Sequence, residues 1–147
     1  MELRRARRED VPAIVRLYAD DDLGATREAP HELDGYRTAF DALAADANSE
    51  LMVAERDGEV VGTFQLTFIQ QLSFRGGKVA QIEAVRVARL QRGRGLGAQM
   101  MRWAIDRARA AGCWRVQLTS NKQRHDAHRF YQRLGFVATH EGMKLHL

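Results

Sequence analysis

The sequence holds a single cysteine, and its apolar residues never form a long run. Cys113 has no partner for an internal disulfide, which is ordinary for a protein of the cytoplasm. No apolar run approaches the roughly 18 residues that a membrane-spanning helix needs. Residues 1–6 alternate like a strand and lack the apolar centre of a signal peptide. These shortages predict a cytoplasmic protein with no membrane partner.

The net charge of the chain is also small. Lysine and arginine number 23 against 19 aspartates and glutamates, a net charge of +4 that predicts no nucleic-acid partner. The local bias is stronger, because residues 86–94 hold four arginines and no acid, and residues 122–133 hold four more basic side chains. A polyphosphate ligand would explain both segments, and a solvated basic surface is the alternative.

Hydrophobic periodicity predicts one α/β domain over residues 1–147, with elements in the order β-α-α-β-β-β-α-β-α-β-β. The three central strands are predicted at residues 51–55, 60–69 and 79–87. Residues 20–30, which are rich in charge, are predicted to form a loop. The chain is expected to finish with two strands, at residues 136–138 and 143–147.

The most informative segment is a glycine-rich turn, Arg92-Gly93-Arg94-Gly95-Leu96-Gly97-Ala98. A β-branched strand precedes it, and an amphipathic helix from about residue 96 to residue 111 follows it. Glycine lets the backbone approach a ligand closely, and the first N–H groups of a helix attract anions. The turn is therefore typical of an anion-binding site. A turn that only tightens the strand–helix connection is the alternative.

Two familiar phosphate-binding motifs do not fit this turn. A nucleoside-triphosphate loop ends in Gly-Lys-Ser or Gly-Lys-Thr, whereas Gly97 is followed by Ala98 and Gln99. A dinucleotide-binding turn needs an acid at the end of the next strand to hold the ribose. That strand ends Leu118-Thr119-Ser120-Asn121 and supplies no acid. The sequence thus excludes both ATP of the P-loop type and a nicotinamide dinucleotide.

A third family does fit. Arg92-x-x-Gly95-x-Gly97 resembles the R/Q-x-x-G-x-G/A signature of the GNAT N-acetyltransferase superfamily, and Ala127-x-x-Phe130-Tyr131-x-x-x-Gly135-Phe136 resembles its second motif. The resemblance implies the GNAT fold, a central mixed and mostly antiparallel sheet flanked by helices. It also implies acetyl-CoA as co-substrate, no metal, and transfer of an acetyl group to a primary amine of a small molecule or peptide. A non-catalytic acyl-CoA-binding module is the alternative.

The same resemblance implies which residues hold acetyl-CoA. Backbone N–H groups of the turn would bind the pyrophosphate, namely those of Arg92, Gly93, Arg94, Gly95, Leu96, Gly97 and Ala98. The pantetheine arm would pair with the backbone at Val85 and Val87, where an N–H would stabilise the oxyanion of a tetrahedral intermediate.

Two side chains are implied for catalysis. Tyr131 matches the position of the family's acid, which protonates the departing thiolate, and plain core packing is its alternative. Glu83 lies two residues before Val85 and is the candidate base. We expect partial burial to raise its pKa, and a cross-strand ion pair with Arg75 is the alternative role.

The second motif departs from the family around its asparagine. Asn121 precedes Tyr131 by ten residues rather than the usual seven or so, and Arg124 occupies the usual place. Either Asn121 contacts the pantetheine arm from a longer loop, or Asp126 and Arg129 replace it. A pair of histidines, His125 and His128, also lies here, but two such residues without a third ligand indicate a surface rather than a metal site.

The acceptor cleft is the least defined part of the prediction. By resemblance it includes residues 20–28, whose three adjacent aspartates would attract a cationic amine, unless they are only solvated. Arg27 is the candidate for holding a substrate carboxylate instead. Residues 144–147 are a candidate strand for pairing across a homodimer, as in many members of the family.

Overall fold

The computed structural model describes residues 1–147, which form one five-stranded sheet with helices packed on it. The strands are β1 (Glu2–Arg5), β2 (Ser49–Arg56), β3 (Glu59–Gln70), β4 (Lys78–Val87) and β5 (Cys113–Leu118). The helices are α1 (Val11–Ala19), α2 (Asp22–Arg27), α3 (Leu33–Ala45), the single turn α4 (Ser73–Gly76), α5 (Leu96–Ala110) and α6 (His125–Arg133). Short 3₁₀ turns precede α1 and connect β4 to the glycine turn.

The strands lie in the order β1-β2-β3-β4-β5. The first four pair antiparallel, with short connections from β2 to β3 and from β3 to β4 and with α1, α2 and α3 between β1 and β2. β4 pairs parallel with β5 because α5 carries the chain back across the sheet. This is the mixed, mostly antiparallel sheet that the sequence predicted.

Alternation along the strands builds a core on each face. Met52 and Ala54 are buried in the cluster beneath α5, where Met100 is fully buried, whereas Val53 between them faces the other side. Val15 of α1 is buried apart from that cluster. The glycine turn at the start of α5 is thus fixed to the sheet by a helix whose inner side chains are buried in the core.

Two predictions about the ends of elements are wrong. Residues 22–27 form α2 rather than loop, because Asp21 caps the helix by accepting a hydrogen bond from the Gly24 N–H. No strand forms after α6, and the apolar side chains of Val137, Met143 and Leu145 are exposed. Alternation alone does not make a strand, since these segments find no neighbouring backbone to pair with.

The last two strands pair over only part of their length. The ladder between β4 and β5 runs from Lys78–Cys113 to Ile82–Leu118, and β5 ends there while β4 continues to Val87. One edge of β4 from Glu83 onward therefore has no neighbouring strand. This open edge leads directly into the glycine turn.

Candidate active site

A bulge opens β4 where its pairing with β5 ends. Ala84 and Val85 together lie opposite Phe64 of β3, because Gln65 pairs with Glu83 and Thr63 pairs with Arg86. Ala84 has a φ of 53°, in the left-handed region that a residue with a Cβ rarely adopts. Such strain is concentrated at functional sites. Nothing in the sequence indicated the bulge, because alanine is not a residue that favours this conformation.

The glycine turn presents free N–H groups. Gly93 and Gly95 have φ values of 73° and 81°, which turn the chain from the end of β4 into α5. None of the six N–H groups from Gly93 to Ala98 donates to a protein acceptor, whereas the N–H of Arg92 donates to the Arg89 carbonyl at 3.3 Å. These N–H groups and the positive end of the α5 dipole form an anion-binding surface.

The arginine side chains of the turn behave differently from each other. Arg92 Nε donates to the Val87 carbonyl at 3.0 Å, and its Nη2 donates to the Asp20 carbonyl at 3.3 Å. Arg92 thus ties the turn to the end of β4 and to the end of α1. Arg94 is exposed and free to meet a ligand.

Tyr131 combines core packing with a free hydroxyl. Its ring packs edge-on against Phe130 and Phe136, with centroids 5.1 and 5.8 Å away. Burial raises the pKa of Tyr131, and the positive charges of Arg86 and Arg124 partly oppose that rise. No hydrogen bond within the chain holds the hydroxyl. Tyr131 therefore packs in the core through its ring and also keeps a hydroxyl that is free to donate, so the two predicted roles are compatible.

Helix α6 also packs against the glycine turn. A Cβ on Gly97 would lie 3.3 Å from the Phe130 ring and 3.7 Å from Val87. Such close packing explains a glycine at this position and holds α6 beside the open edge of β4. Tyr131, the next residue after Phe130, is fixed in the same neighbourhood.

Glu83 is exposed, so the expectation that it is partly buried is wrong. It lies opposite Gln65 where β4 loses its second neighbour, and that missing neighbour leaves the carboxylate open to solvent. The alternative ion pair with Arg75 does not form. Its role as a base stays a prediction.

The residues predicted to replace the family's asparagine contact lie at the surface. Asn121 Oδ1 accepts from the Gln123 N–H at 2.9 Å, and its carbonyl lies 2.8 Å from His128 Nε2. Asp126 and Arg129 form an ion pair with each other on the exposed side of α6. The contacts of Asn121, Asp126 and Arg129 with a co-substrate stay predictions.

Sequence reasoning missed an ionic cluster that joins three distant segments. Asp21 Oδ2 accepts from Arg124 Nη2 at 2.9 Å and lies 3.3 Å from Arg86 Nε. Desolvation acts to raise the pKa of Asp21, but the Gly24 N–H and the two arginines outweigh it and hold that pKa below its usual range. No local pattern could reveal this cluster, because its members are far apart in the chain.

The neighbouring acids are also largely paired. Asp20 lies 3.3 Å from Arg89 and 3.8 Å from Arg92, whereas Asp22 is exposed in the first turn of α2. Two of the three adjacent aspartates are therefore balanced by arginines. The negative field that would attract a cationic amine is correspondingly weakened.

The structure contains no group of three or more His, Cys, Asp or Glu side chains arranged to hold a metal ion. None of its helices has both the length and the apolar character to cross a membrane. A surface depression of about 450 Å³ beside the β4–α5 connection is lined by Asp57, Val60 and Leu90. It includes Asp20 of the predicted acceptor cleft and none of the residues predicted for catalysis or for binding acetyl-CoA.

Together these features define a class of site. An anion-binding turn continues from an open strand edge, so one ligand with phosphate groups and an extended amide arm can occupy both. A phenol with a free hydroxyl lies beside them. The arrangement suits a ligand that has phosphate groups at one end and an extended chain at the other, with a proton donor nearby.

Comparison with known proteins identifies the family. The sequence model of the acetyltransferase (GNAT) family matches residues 11–136. The aminoalkylphosphonate N-acetyltransferase of Salmonella typhimurium is 34% identical over 141 residues, which covers 95% of this chain and 86% of that protein. Glucosamine 6-phosphate N-acetyltransferase 1 of Oryza sativa is 28% identical over 116 residues, covering 77% of this chain and 68% of that protein. A transcriptional regulator from Bacillus halodurans C-125 has a crystal structure with a TM-score of 0.96 at 44% identity, with 99% of each chain covered.

The chain belongs to the GNAT family of acetyltransferases. It is an acyltransferase that moves an acetyl group to an amine, and its mixed five-stranded sheet flanked by helices is the fold of that family. The predictions of fold, family and reaction are therefore confirmed.

Proposed function

We propose that the acetyl donor is acetyl-CoA and that a primary amine of a small molecule attacks its thioester directly. One observation carries the proposal: the free N–H groups of the glycine turn adjoin the open edge of β4 beyond Ile82. The N–H groups suit a pyrophosphate, and the open strand edge suits an extended amide chain. Membership of the acetyltransferase family supports the same donor.

Backbone groups would bind most of the donor. The N–H groups from Gly93 to Ala98 would hold the pyrophosphate, with Arg94 adding charge from the surface. Backbone at Val85 and Val87 would pair with the pantetheine arm. The carbonyls of these two valines already accept from Arg86 and Arg92, at 2.9 and 3.0 Å, and each keeps a second lone pair for the ligand.

The reaction also needs three proton transfers. An alkylammonium has a pKa of roughly 10.4 and cannot attack until it loses a proton, for which Glu83 is the proposed acceptor, through water because it is exposed. The amine nitrogen then bonds to the acetyl carbon and the carbon–sulfur bond breaks. Tyr131 would protonate the departing thiolate and regain a proton, through water, from the nitrogen of the new amide. The raised pKa of Tyr131 suits this role, because the phenol stays protonated at neutral pH.

A two-stage measurement tests the proposal. Acetyl-CoA should raise the melting temperature, whereas ATP and NAD, whose motifs the sequence lacks, should not. Thiol release is then followed with a panel of small primary amines and a lysine peptide. Stabilisation by acetyl-CoA without turnover of any amine would favour the non-catalytic acyl-CoA-binding module, and absence of stabilisation would exclude the donor.

The substrates of two related enzymes indicate the kind of acceptor. Aminoalkylphosphonates and glucosamine 6-phosphate are both small amines that also carry a phosphorus oxyanion. They support a small molecule rather than a peptide or nucleic acid as the acceptor of this chain.

Three further properties belong to the proposal. We infer one N-acetyltransferase domain over residues 1–147, a cytoplasmic location from the single cysteine, and a homodimer in which the exposed segment 144–147 pairs with a second copy. Light scattering of the whole chain and of a variant that ends at residue 140 tests the dimer. If both proteins form particles with the same number of chains, so that their masses differ only by the seven residues removed from each chain, the result would contradict this dimer.

A further inference from the structure

We propose that the acceptor amine carries an anionic group and that this group binds to the arginine cluster, defined as Arg86 and Arg124 with Asp21 between them. The inference rests on the proposed function, because it assigns the acceptor of the same site. It is carried by three observations: unused donors, an excess of positive charge, and a position beside the proposed acid.

Arg86 keeps most of its hydrogen-bonding capacity unused. Its side chain is only 11% exposed, yet of its five N–H groups only one, on Nη1, donates to a protein atom, the Val85 carbonyl at 2.9 Å. Nε lies 3.3 Å from Asp21 but is not aligned to donate to it, so it is buried without a hydrogen-bond partner. The second N–H of Nη1 and both N–H groups of Nη2 also have no protein acceptor, and an oxyanion would satisfy these.

The cluster carries a net positive charge. A single carboxylate, that of Asp21, faces the two guanidinium groups, and the nearby Arg27 is already paired with Glu28 at 3.0 Å. Desolvation and the charges of Arg124 and Arg27 lower the pKa of Arg86, against the attraction of Asp21. One negative group is therefore missing from the cluster.

The cluster lies where an acceptor would lie. Arg86 follows the bulge of β4, its guanidinium is 6.0 Å from the centre of the Tyr18 ring of α1, and its charge acts on Tyr131. Asp21 caps α2, so the first two helices form the other side. An anion bound here would stay close to the reacting amine, which points to a small acceptor.

Four acceptors that differ only in one terminal group test the inference. Each has the form H₂N–CH₂–CH₂–X, where X is phosphonate in 2-aminoethylphosphonate, carboxylate in β-alanine, hydroxyl in ethanolamine and ammonium in 1,2-diaminoethane. We expect kcat/KM to be higher for the two anionic acceptors than for the other two. The ratio of phosphonate to carboxylate then tells which anion the cluster prefers.

Variants connect that preference to the cluster. Arg86→Gln and Arg124→Gln should each lower kcat/KM for 2-aminoethylphosphonate by about 10- to 100-fold, as expected for the loss of a charged hydrogen bond. They should lower kcat/KM for ethanolamine much less, so that the ratio of kcat/KM for 2-aminoethylphosphonate to that for ethanolamine falls by about 10-fold or more. Arg102→Gln, at an exposed position of α5, is the matched control and should change none of these values. Having two variants keeps the test decisive if one of them does not fold.

The outcomes separate the two proposals. Turnover of ethanolamine or 1,2-diaminoethane at least as fast as that of the anionic amines would overturn the inference and leave the acetyltransferase reaction intact. An equal loss for all acceptors, or a raised KM for acetyl-CoA, would assign the cluster to the donor or to the fold and would also overturn it. If no amine is turned over, calorimetry with 2-aminoethylphosphonate decides separately. Binding that Arg86→Gln abolishes supports the anion site, and absence of binding overturns it.

Discussion

The Arg124 Nη2 donates to the Asp21 Oδ2 at 2.9 Å, although the two residues are 103 positions apart in the chain. Arg124 follows β5, and Asp21 begins α2. Because Asp21 also faces Arg86 of β4, one carboxylate connects the start of α2 and the segment after β5 to the strand that carries the bulge.

Replacement of Asp21 by asparagine tests how much this connection stabilises the fold. Asparagine caps a helix as well as aspartate does, so the change removes the charge and keeps the cap. We expect the free energy of unfolding at pH 7 to fall by about 1–3 kcal/mol, because two partly buried guanidinium groups lose their counter-charge. Urea unfolding measures it. Asp106→Asn, in an exposed pair with Arg109, should cost no more than about 1 kcal/mol.

The stability difference between the wild type and Asp21→Asn should also depend on pH. Desolvation acts to raise the pKa of Asp21, but the Gly24 N–H and the arginines hold it below its usual range in the folded state. A carboxyl with a lowered folded pKa stabilises the fold above its unfolded pKa of about 3.9, and this contribution is lost as the pH falls through the folded pKa. The stability difference between the wild type and Asp21→Asn should therefore shrink below about pH 4. A constant difference down to acid unfolding would contradict the assignment.

Tyr131→Phe tests the proposed acid. The ring contacts with Phe130 and Phe136 remain, so stability should change little, while kcat should fall by about 100-fold or more. Because burial raises the pKa of Tyr131, the wild-type rate should not fall through loss of this proton until the pH exceeds about 10. Steady-state rates across pH check both statements. Tyr36→Phe, which loses a hydrogen bond to Glu28, is the control, and full kcat in Tyr131→Phe at every pH would remove Tyr131 from the mechanism.

Gly95→Ala tests the glycine turn. Its φ of 81° is costly for alanine, although a Cβ there would meet nothing within 4 Å. We expect a loss of about 1 kcal/mol in unfolding free energy and a higher Kd for acetyl-CoA. Gly58→Ala, with a φ of 79° and equally open space in the β2–β3 turn, should show the same loss of stability with an unchanged Kd. Equal Kd values for both variants would show that the turn does not bind the donor.

Ala84→Gly tests the strained bulge. Glycine relieves the positive φ but adds freedom to the unfolded chain, so the unfolding free energy should change by less than about 1 kcal/mol in either direction. Ala80→Gly, in the fully buried and regular part of β4, should be destabilising by about 1 kcal/mol or more. Equal losses for the two variants, measured by thermal unfolding, would mean that Ala84 carries no strain.

The sequence was most informative where one segment determines its own structure. The glycine turn, the start of α5 at Leu96 and the position of Tyr131 beside Phe130 follow from local patterns of glycine and apolar residues. The helix α2 also had a local signal, since Asp21 is a capping residue and Arg27 lies in its last turn, but the charge of the segment favoured a loop.

Features that depend on distant contacts were not predictable. The burial of Arg86, the exposure of Glu83 and the pairing of Asp20 depend on which segments the sheet brings together. The prediction of two final strands was wrong for the same reason, because alternation at residues 143–147 does not indicate whether another strand lies alongside. The charge balance of the arginine cluster, on which the proposed substrate preference rests, is visible only in the folded chain.

The unpaired N–H groups of the glycine turn have one more consequence. An amide without an acceptor exchanges its hydrogen with water without any prior opening of the fold, whereas the amides of the buried turns of α5 exchange only after opening. Deuterium uptake from Gly93 to Ala98 should therefore be fast in the free protein and slow once a phosphate occupies the turn. Deuterium uptake of these amides would therefore report binding of the proposed donor, even in a variant that has lost all catalytic activity.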